Sequence, residues 1–246
     1  MRRTTTAEAA HFSVTQIIGF DSAVRIEATV DPVSLQTDSD RKKTFQSALA
    51  AAIKNNTDRI FTGDVKAEIT WFISEERRYN THIVADIDNI IKPLFDAVTG
   101  PGGIMIDDNQ VQQIGASWDD AEPGKLKFTM VITALFPSEF IPRHNLEFVD
   151  LGRPYGCMLV PDMPAEIKLM LITSVADAVR RHRALLAMGS EPGAAKMHMP
   201  MQRFYPSARL KGFEVKPLPG TVGSLLPDSQ TVPALLPLDK NLDADA

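Results

Sequence analysis

Two stretches of this chain alternate between apolar and polar positions. Val65, Ala67, Ile69, Trp71 and Ile73 form the first, and Leu126, Phe128, Met130, Ile132 and Ala134 form the second. A strand sends successive side chains to opposite faces, so both stretches predict strands buried on one side. Val24 to Val30 alternates similarly and predicts a third. From Ser39 to Lys54 the period changes to that of a helix, with Phe45, Leu49, Ala52 and Ile53 on a shared face. A second helix follows from Ile91, Leu94, Phe95 and Val98. Asp88 or Asn89 suits its N-cap, and Pro93 is tolerated only near a helix start, which sets the origin near Asn89 or Ile90. The helix ends by Gly100, where Gly100-Pro101-Gly102-Gly103 makes a loop. The order is strand, helix, strand, turn and helix, then two strands. It predicts an α/β fold, a small mixed sheet with helices packed on it. Trp71 and Trp118 read as core or sheet-face residues.

The pattern thins in the C-terminal part. Phe148 to Val160 is broken by Gly152, Pro154 and Gly156 and predicts a hairpin or irregular segment. Asp162 and Pro164 then start a long helix, with Ile167, Leu171, Val175, Val179 and Leu186 on a face and Gly189 as its stop. Arg180, Arg181, His182 and Arg183 fit a solvated helix C-terminus, favoured by the dipole. The expected organisation is an N-terminal segment at 1–22, a catalytic domain at 23–136, an extension with one long helix at 137–189, and a Pro/Gly-rich flexible tail at 190–246. Met1-Arg2-Arg3 has no apolar run behind it, which predicts neither signal peptide nor membrane segment. The single Cys157 forms no intrachain disulfide, and the expected localisation is cytoplasmic.

Candidate chemistry concentrates in DIDNIIKPLFDAVTGPGGIMIDDNQ, residues 86–110. If His82 to Asp88 is a strand end, Asp86 and Asp88 project to the same face with Ile87 opposite. Lys92 lies about one turn into the helix and can reach back to them. On an extended chain Asp107 and Asp108 face opposite ways, so one serves as a ligand and the other supports it. Carboxylates gathered in one pocket resist ionising unless a cation compensates them. Magnesium suits such donors and keeps positions for water and substrate phosphate. That combination predicts phosphoester chemistry. Asp96, one turn beyond Lys92, reads as a helix-surface ion pair. An EF-hand loop starting at Asp86 is excluded, because Ile90, Ile91 and Ala97 stand where an oxygen ligand, glycine and glutamate are required.

The full pattern, Asp86-x-Asp88-Asn89-x-x-Lys92-x-x-x-Asp96-Ala97, a short loop, then Asp107-Asp108-x-Gln110, resembles the RusA family of Holliday-junction resolvases. The resemblance covers about Ala23 to Phe136. It implies that Asp86, Asp88 and Asp108 are metal-binding catalytic carboxylates, Lys92 the essential basic residue and Asn89 a supporting polar group. It also implies Mg²⁺ as cofactor, branched DNA as substrate, and a homodimer whose two sites each cut one strand of a four-way junction. Asp-x-Asp with a later lysine and acidic pair is also similar to the haloacid-dehalogenase phosphatases. There, however, Ile90 stands for the usual Thr or Val, and the second pair follows too closely for that fold.

Charge sets a constraint on either nucleic-acid reading. A protein that grips duplex phosphates carries a basic footprint, yet the formal net charge is -5, and acidic residues outnumber basic ones in residues 1–136. Arg41, Lys42 and Lys43, with Arg77 and Arg78, are the candidate phosphate contacts. A catalytically silent protein that binds branched DNA is the third reading this balance leaves open.

Overall fold

The alternation at Val65–Ile73 becomes the strand around which the first half of the molecule is organised. The structure, a computed structural model, describes residues 11–80, 86–121, 125–144, 146–152, 155–200 and 203–220. The elements of the first half are β1 (Phe12–Ile17), β2 (Ala23–Ala28), α1 (Ser39–Asn56), β3 (Arg59–Phe61), β4 (Val65–Ile73), α2 (Glu75–Asn80), α3 (Ile87–Val98), β5 (Val111–Asp120), β6 (Phe128–Ala134) and β7 (Phe140–Pro142). Five strands form one sheet in the order β1-β2-β6-β4-β5. Only the β4–β5 pair is parallel, and the chain crosses between those strands through α2 and α3. The sheet is therefore mixed, as the element order predicts.

Alternation decides which face is covered. Val65, Ala67, Ile69, Trp71 and Ile73 of β4 are buried in one core with Phe128, Met130 and Ile132 of β6 and Phe45, Leu49 and Ile53 of α1. Leu94, Phe95 and Val98 of α3 join them. Each large aliphatic or aromatic side chain so buried contributes roughly 1.5–3 kcal/mol relative to exposure. The opposite face carries polar groups such as the Lys66–Glu68 ion pair at 2.9 Å. Helix α1 starts where Asp38 caps it, accepting from the Arg41 amide at 2.9 Å. Trp71 is buried and stacks on half-buried Trp118 with ring centroids 4.8 Å apart.

Three features differ from the sequence reading. The segment assigned to residues 1–22 contains β1, which pairs antiparallel with β2 and contributes Phe12 and Val14 to the core. Helix α3 begins at Ile87 with Asp86 as N-cap, two residues before the expected origin, so Asp88 lies in its first turn. Pro93 is consequently inside the helix. A proline there cannot bond the carbonyl four residues back, Asn89. The Leu35 amide takes that carbonyl instead at 2.9 Å, which offsets the usual penalty. The expected strand end over His82 to Ala85 lies outside the described residues.

The second unit comprises residues 145–208 and 214–246, while residues 209–213 belong with residues 1–144 in the first. Its elements are β8 (Glu147–Asp150), β9 (Cys157–Val160), α4 (Ala165–Ala187), α5 (Pro192–Lys196), β10 (Phe204–Tyr205) and β11 (Val215–Pro217). β8 and β9 form the expected hairpin inside a four-stranded sheet of order β10-β9-β8-β11. The long helix packs Ile172, Val175, Ala176 and Val179 against Val149, Met158 and Val160. Residues 192–217, assigned to a flexible tail, thus contain a helix and two strands. Their pairing with β8 and β9 supplies order that local periodicity does not reveal. Residues 221–246 lie outside the described residues.

Candidate active site

The local chain path explains how two distant pieces of sequence meet. After α3, Gly100 adopts φ 93°, and Gly103 is held so tightly that an added Cβ would lie 2.1 Å from the Val98 carbonyl oxygen. Both positions therefore need glycine. The Ile104 and Met105 amides donate to the same Val98 carbonyl at 2.8 and 3.1 Å. This tight return buries Ile104, Met105 and Ile106 completely and delivers Asp107 and Asp108 beside α3.

Asp107 caps a 3₁₀ turn at Asp108–Gln110, and Gln110 fixes that turn from below. The Gln110 amide is fully buried and uses all four of its bonding positions. Its Oε1 accepts from the Ile106 and Asp107 amides at 2.8 and 2.9 Å. Its Nε2 donates to the Phe61 and Gly63 carbonyls at 2.8 and 2.7 Å. The acidic pair is thereby tied to β3 and the loop after it.

Lys92 connects the two pieces. Its Nζ donates to Asp108 Oδ2 at 2.6 Å and pairs with Asp96 Oδ1 at 2.8 Å. These bonds, to Asp108 first and Asp96 second, hold Lys92 protonated above the ordinary lysine range. Lys92 in turn holds Asp108 below the usual carboxylate range. Asp107 is pushed upward, first by burial and then by the neighbouring Asp108. The two carboxylates are consecutive in sequence but differ in environment. Asp108 is the readily ionised one.

A second cation reaches them from more than a hundred residues away. Arg209, in the part of the chain that returns to the first unit, places Nη1 3.2 Å from Asp108 Oδ1 and 3.5 Å from Asp107 Oδ1. Asp108 thus has Lys92 on one oxygen and Arg209 on the other.

Of the remaining sequence-derived candidates, Asp86, Asp88 and Asn89 lie at the start of α3. Asp86 and Asp88 are exposed there, with Asp88 Oδ1 accepting from the Asn89 amide at 3.0 Å. They do not join Asp107 and Asp108 in a shared cluster. Among the described residues, no three carboxylate, histidine or cysteine side chains converge to hold a metal. Asn89 contributes through its carbonyl to the Leu35 amide. Lys42 Nζ donates to the Leu35 carbonyl at 2.9 Å, and Arg77 pairs with Asp31 at 3.3 Å, so both basic clusters border the loop that contacts Asn89. Arg41 and Lys43 are exposed. Arg78 lies over the rings of Tyr79 and Trp118, 5.3 and 5.4 Å from their centroids.

Sequence reasoning assigned no role to Gln110 and did not single out Arg209. The spacing Asp107-Asp108-x-Gln110 was a usable signal for the former, since a Gln three residues after a capping Asp completes a capping box. No periodicity or motif around Arg209 marks it.

Residues 28–129 match the family model described as endodeoxyribonuclease RusA. That segment belongs to the RusA family. It spans α1, β3, β4, α2, α3 and β5, and so includes Lys92 and the acidic pair, while Arg209 falls outside it. No curated protein matches the chain. The RusA family is one of endodeoxyribonucleases, which are hydrolases of recombination and repair. No helix among the described residues is long and apolar enough to cross a membrane.

Donor chemistry at this RusA site suits magnesium, which binds through one or two carboxylates and leaves other positions to water and phosphate. Asp108, ionised and partly exposed, meets that requirement with buried Asp107 beside it.

Proposed function

We propose that the chain is a Mg²⁺-dependent endonuclease that cuts branched DNA, four-way junctions in particular, by phosphodiester hydrolysis, acting in the cytoplasm as a homodimer. The observation that carries this reading is the 2.6 Å contact between Lys92 and Asp108, which joins the two halves of the motif inside the family-matched segment. Asp86, Asp88 and Asp108 are the proposed metal and catalytic carboxylates, with Asn89 and Asp107 supporting them. For all three to share an ion, the exposed carboxylates at the start of α3 must approach Asp108.

A bound magnesium ion would lower the pKa of water and offset charge at the phosphoryl oxygens. Asp108 presents an ionised oxygen at neutral pH because Lys92 holds it so. Lys92 carries a fixed positive charge able to face a non-bridging phosphate oxygen once its carboxylate partners turn to other cations. Arg41, Lys42, Lys43, Arg77 and Arg78 are the proposed backbone contacts, and local placement around one loop offsets the acidic total. Homodimerisation is supported by β5, an edge strand exposed along nearly all of its length, with Ile114 51 % exposed. Such an edge is a template for pairing with another chain.

The test is cleavage of a synthetic four-way junction against linear duplex of the same sequence, with and without Mg²⁺. The expected result is Mg²⁺-dependent paired incisions in the junction alone, with Asp86→Asn, Asp108→Asn and Lys92→Met retaining binding but losing cleavage. Release of inorganic phosphate from small monoesters, with no DNA cutting, would replace this reading with the phosphatase. Junction binding without cleavage under Mg²⁺ or Mn²⁺ would replace it with the silent binding protein.

A further inference from the structure

Arg209 is delivered to the acidic pair by a short built segment. A 3₁₀ turn over Ser207–Arg209 ends at this residue, Leu210 beyond it is buried, and the Phe213 amide closes back on the Leu210 carbonyl at 3.0 Å. Gly212, at φ 90°, comes so near the glycine-rich loop that an added Cβ would stand 3.0 Å from Pro101. The segment is thus seated on the loop that positions Asp107 and Asp108. Nη1 of Arg209 reaches an oxygen of each, while Lys92 holds the other oxygen of Asp108.

We propose that Arg209 is a positioning residue that neutralises the Asp107–Asp108 pair when no divalent ion is bound and yields its place when one binds. The inference rests on the metal reading of this site given above. Its logic is electrostatic. Asp107 and Asp108 are adjacent carboxylates, the former almost wholly buried, and Lys92 contacts just one of them, which leaves Arg209 as the cation that reaches an oxygen of each. The guanidinium supplies positive charge and holds both oxygens in a fixed direction. A divalent ion seeking Asp108 must then share or displace it. Because the Arg209 side chain is 50 % exposed, it can swing into solvent without unfolding the segment. Metal affinity in this chain is therefore set partly by a residue outside the family-matched segment.

The measurement is Mn²⁺ binding to the full chain, followed by the electron paramagnetic resonance signal of the free ion at constant ionic strength. Arg209→Gln is expected to bind Mn²⁺ about three- to fivefold more tightly than the parent, the upper part of the scale of a partly exposed ion pair. Arg209→Lys retains the charge and is expected to restore affinity near the parent value. Lys211→Gln, which removes an exposed cation from the same segment, is expected to change affinity less than twofold. The gain in Arg209→Gln is expected to shrink in concentrated salt. Unchanged or weaker binding by Arg209→Gln, or equal gains from Arg209→Gln and Lys211→Gln, overturns the proposal. If parent binding is lost in Asp108→Asn yet is indifferent to Arg209, the proposal falls and the metal reading survives. Absence of binding in both the parent and Arg209→Gln overturns both.

Discussion

Replacing Gln110 with alanine removes four hydrogen bonds from a fully buried position at once. Two amides, of Ile106 and Asp107, lose their acceptor, and two carbonyls, of Phe61 and Gly63, lose their donor. Each such bond contributes a net ~0.5–1.5 kcal/mol, so the set is worth about 2–6 kcal/mol, with ~4 kcal/mol as the central figure. In a unit of this size, 1 kcal/mol moves the melting temperature by roughly 2–4 °C, which places the expected loss at about 8–16 °C. Water entering the vacated space would recover part of the loss and bring the result toward the lower figure. The assay is calorimetric melting of the full chain, assigning the transition that moves to the first unit. Gln110→Met keeps the side-chain length without the amide and is expected to melt almost as early as Gln110→Ala. Gln110→Glu keeps the acceptor oxygens but faces two carbonyls it cannot satisfy, and is expected to be no better. If Gln110→Ala melted within ~2 °C of the parent, or Gln110→Met matched the parent, the four bonds would not be what holds the acidic turn.

Other outcomes follow from groups described above or in the second unit. Gly103→Ala is expected to destabilise the first unit by more than ~2 kcal/mol, measured by urea unfolding, because its Cβ would meet the Val98 carbonyl at 2.1 Å. Cys157 is fully buried, and burial pushes its thiol up to about 11, so the folded chain should resist a thiol reagent such as Ellman's at pH 8 and react on denaturation. Glu147 is held below the usual carboxylate range, first by its bond from Lys216 at 2.7 Å and then by Lys168. A depressed folded pKa gives stability that is present above the unfolded pKa and lost as pH falls through the folded one. Glu147→Gln should therefore melt earlier than the parent at pH 7, with the difference closing as pH falls below the ordinary glutamate range.

What the sequence revealed, and what it withheld, separates along physical lines. β4 and β6 were legible because each is buried on one face only, so burial writes a period of two into the chain. α1 was legible from helical spacing, and α4 from its start and stop signals and from Val175 and Val179, although Ile167 of the expected face is exposed. β1 carries the same alternation at Phe12 and Val14, but over too few residues before Ile17-Ile18-Gly19-Phe20 breaks it. β5 is exposed along most of its length, so nothing selects apolar residues at alternate positions, and its place comes from pairing with β4. The start of α3 was misplaced because the rule against internal proline holds only while the freed carbonyl stays unpaired, and the Leu35 amide pairs it. Within the site, Lys92 and the acidic pair were readable as a local motif. Arg209 was not, because its contact depends on the tertiary path of a segment that has no local signature. The motif also suggested three carboxylates assembled in advance, whereas two cations occupy Asp108 and, among the described residues, no three such side chains converge.

The excursion of residues 209–213 bears on how this chain is to be dissected. A fragment ended at residue 144 would keep every strand of the five-stranded sheet yet would lack a guanidinium and a buried leucine that residues 209–213 bring to the acidic turn. Kinetics from such a minimal version would describe a more negative centre than the one the full polypeptide carries.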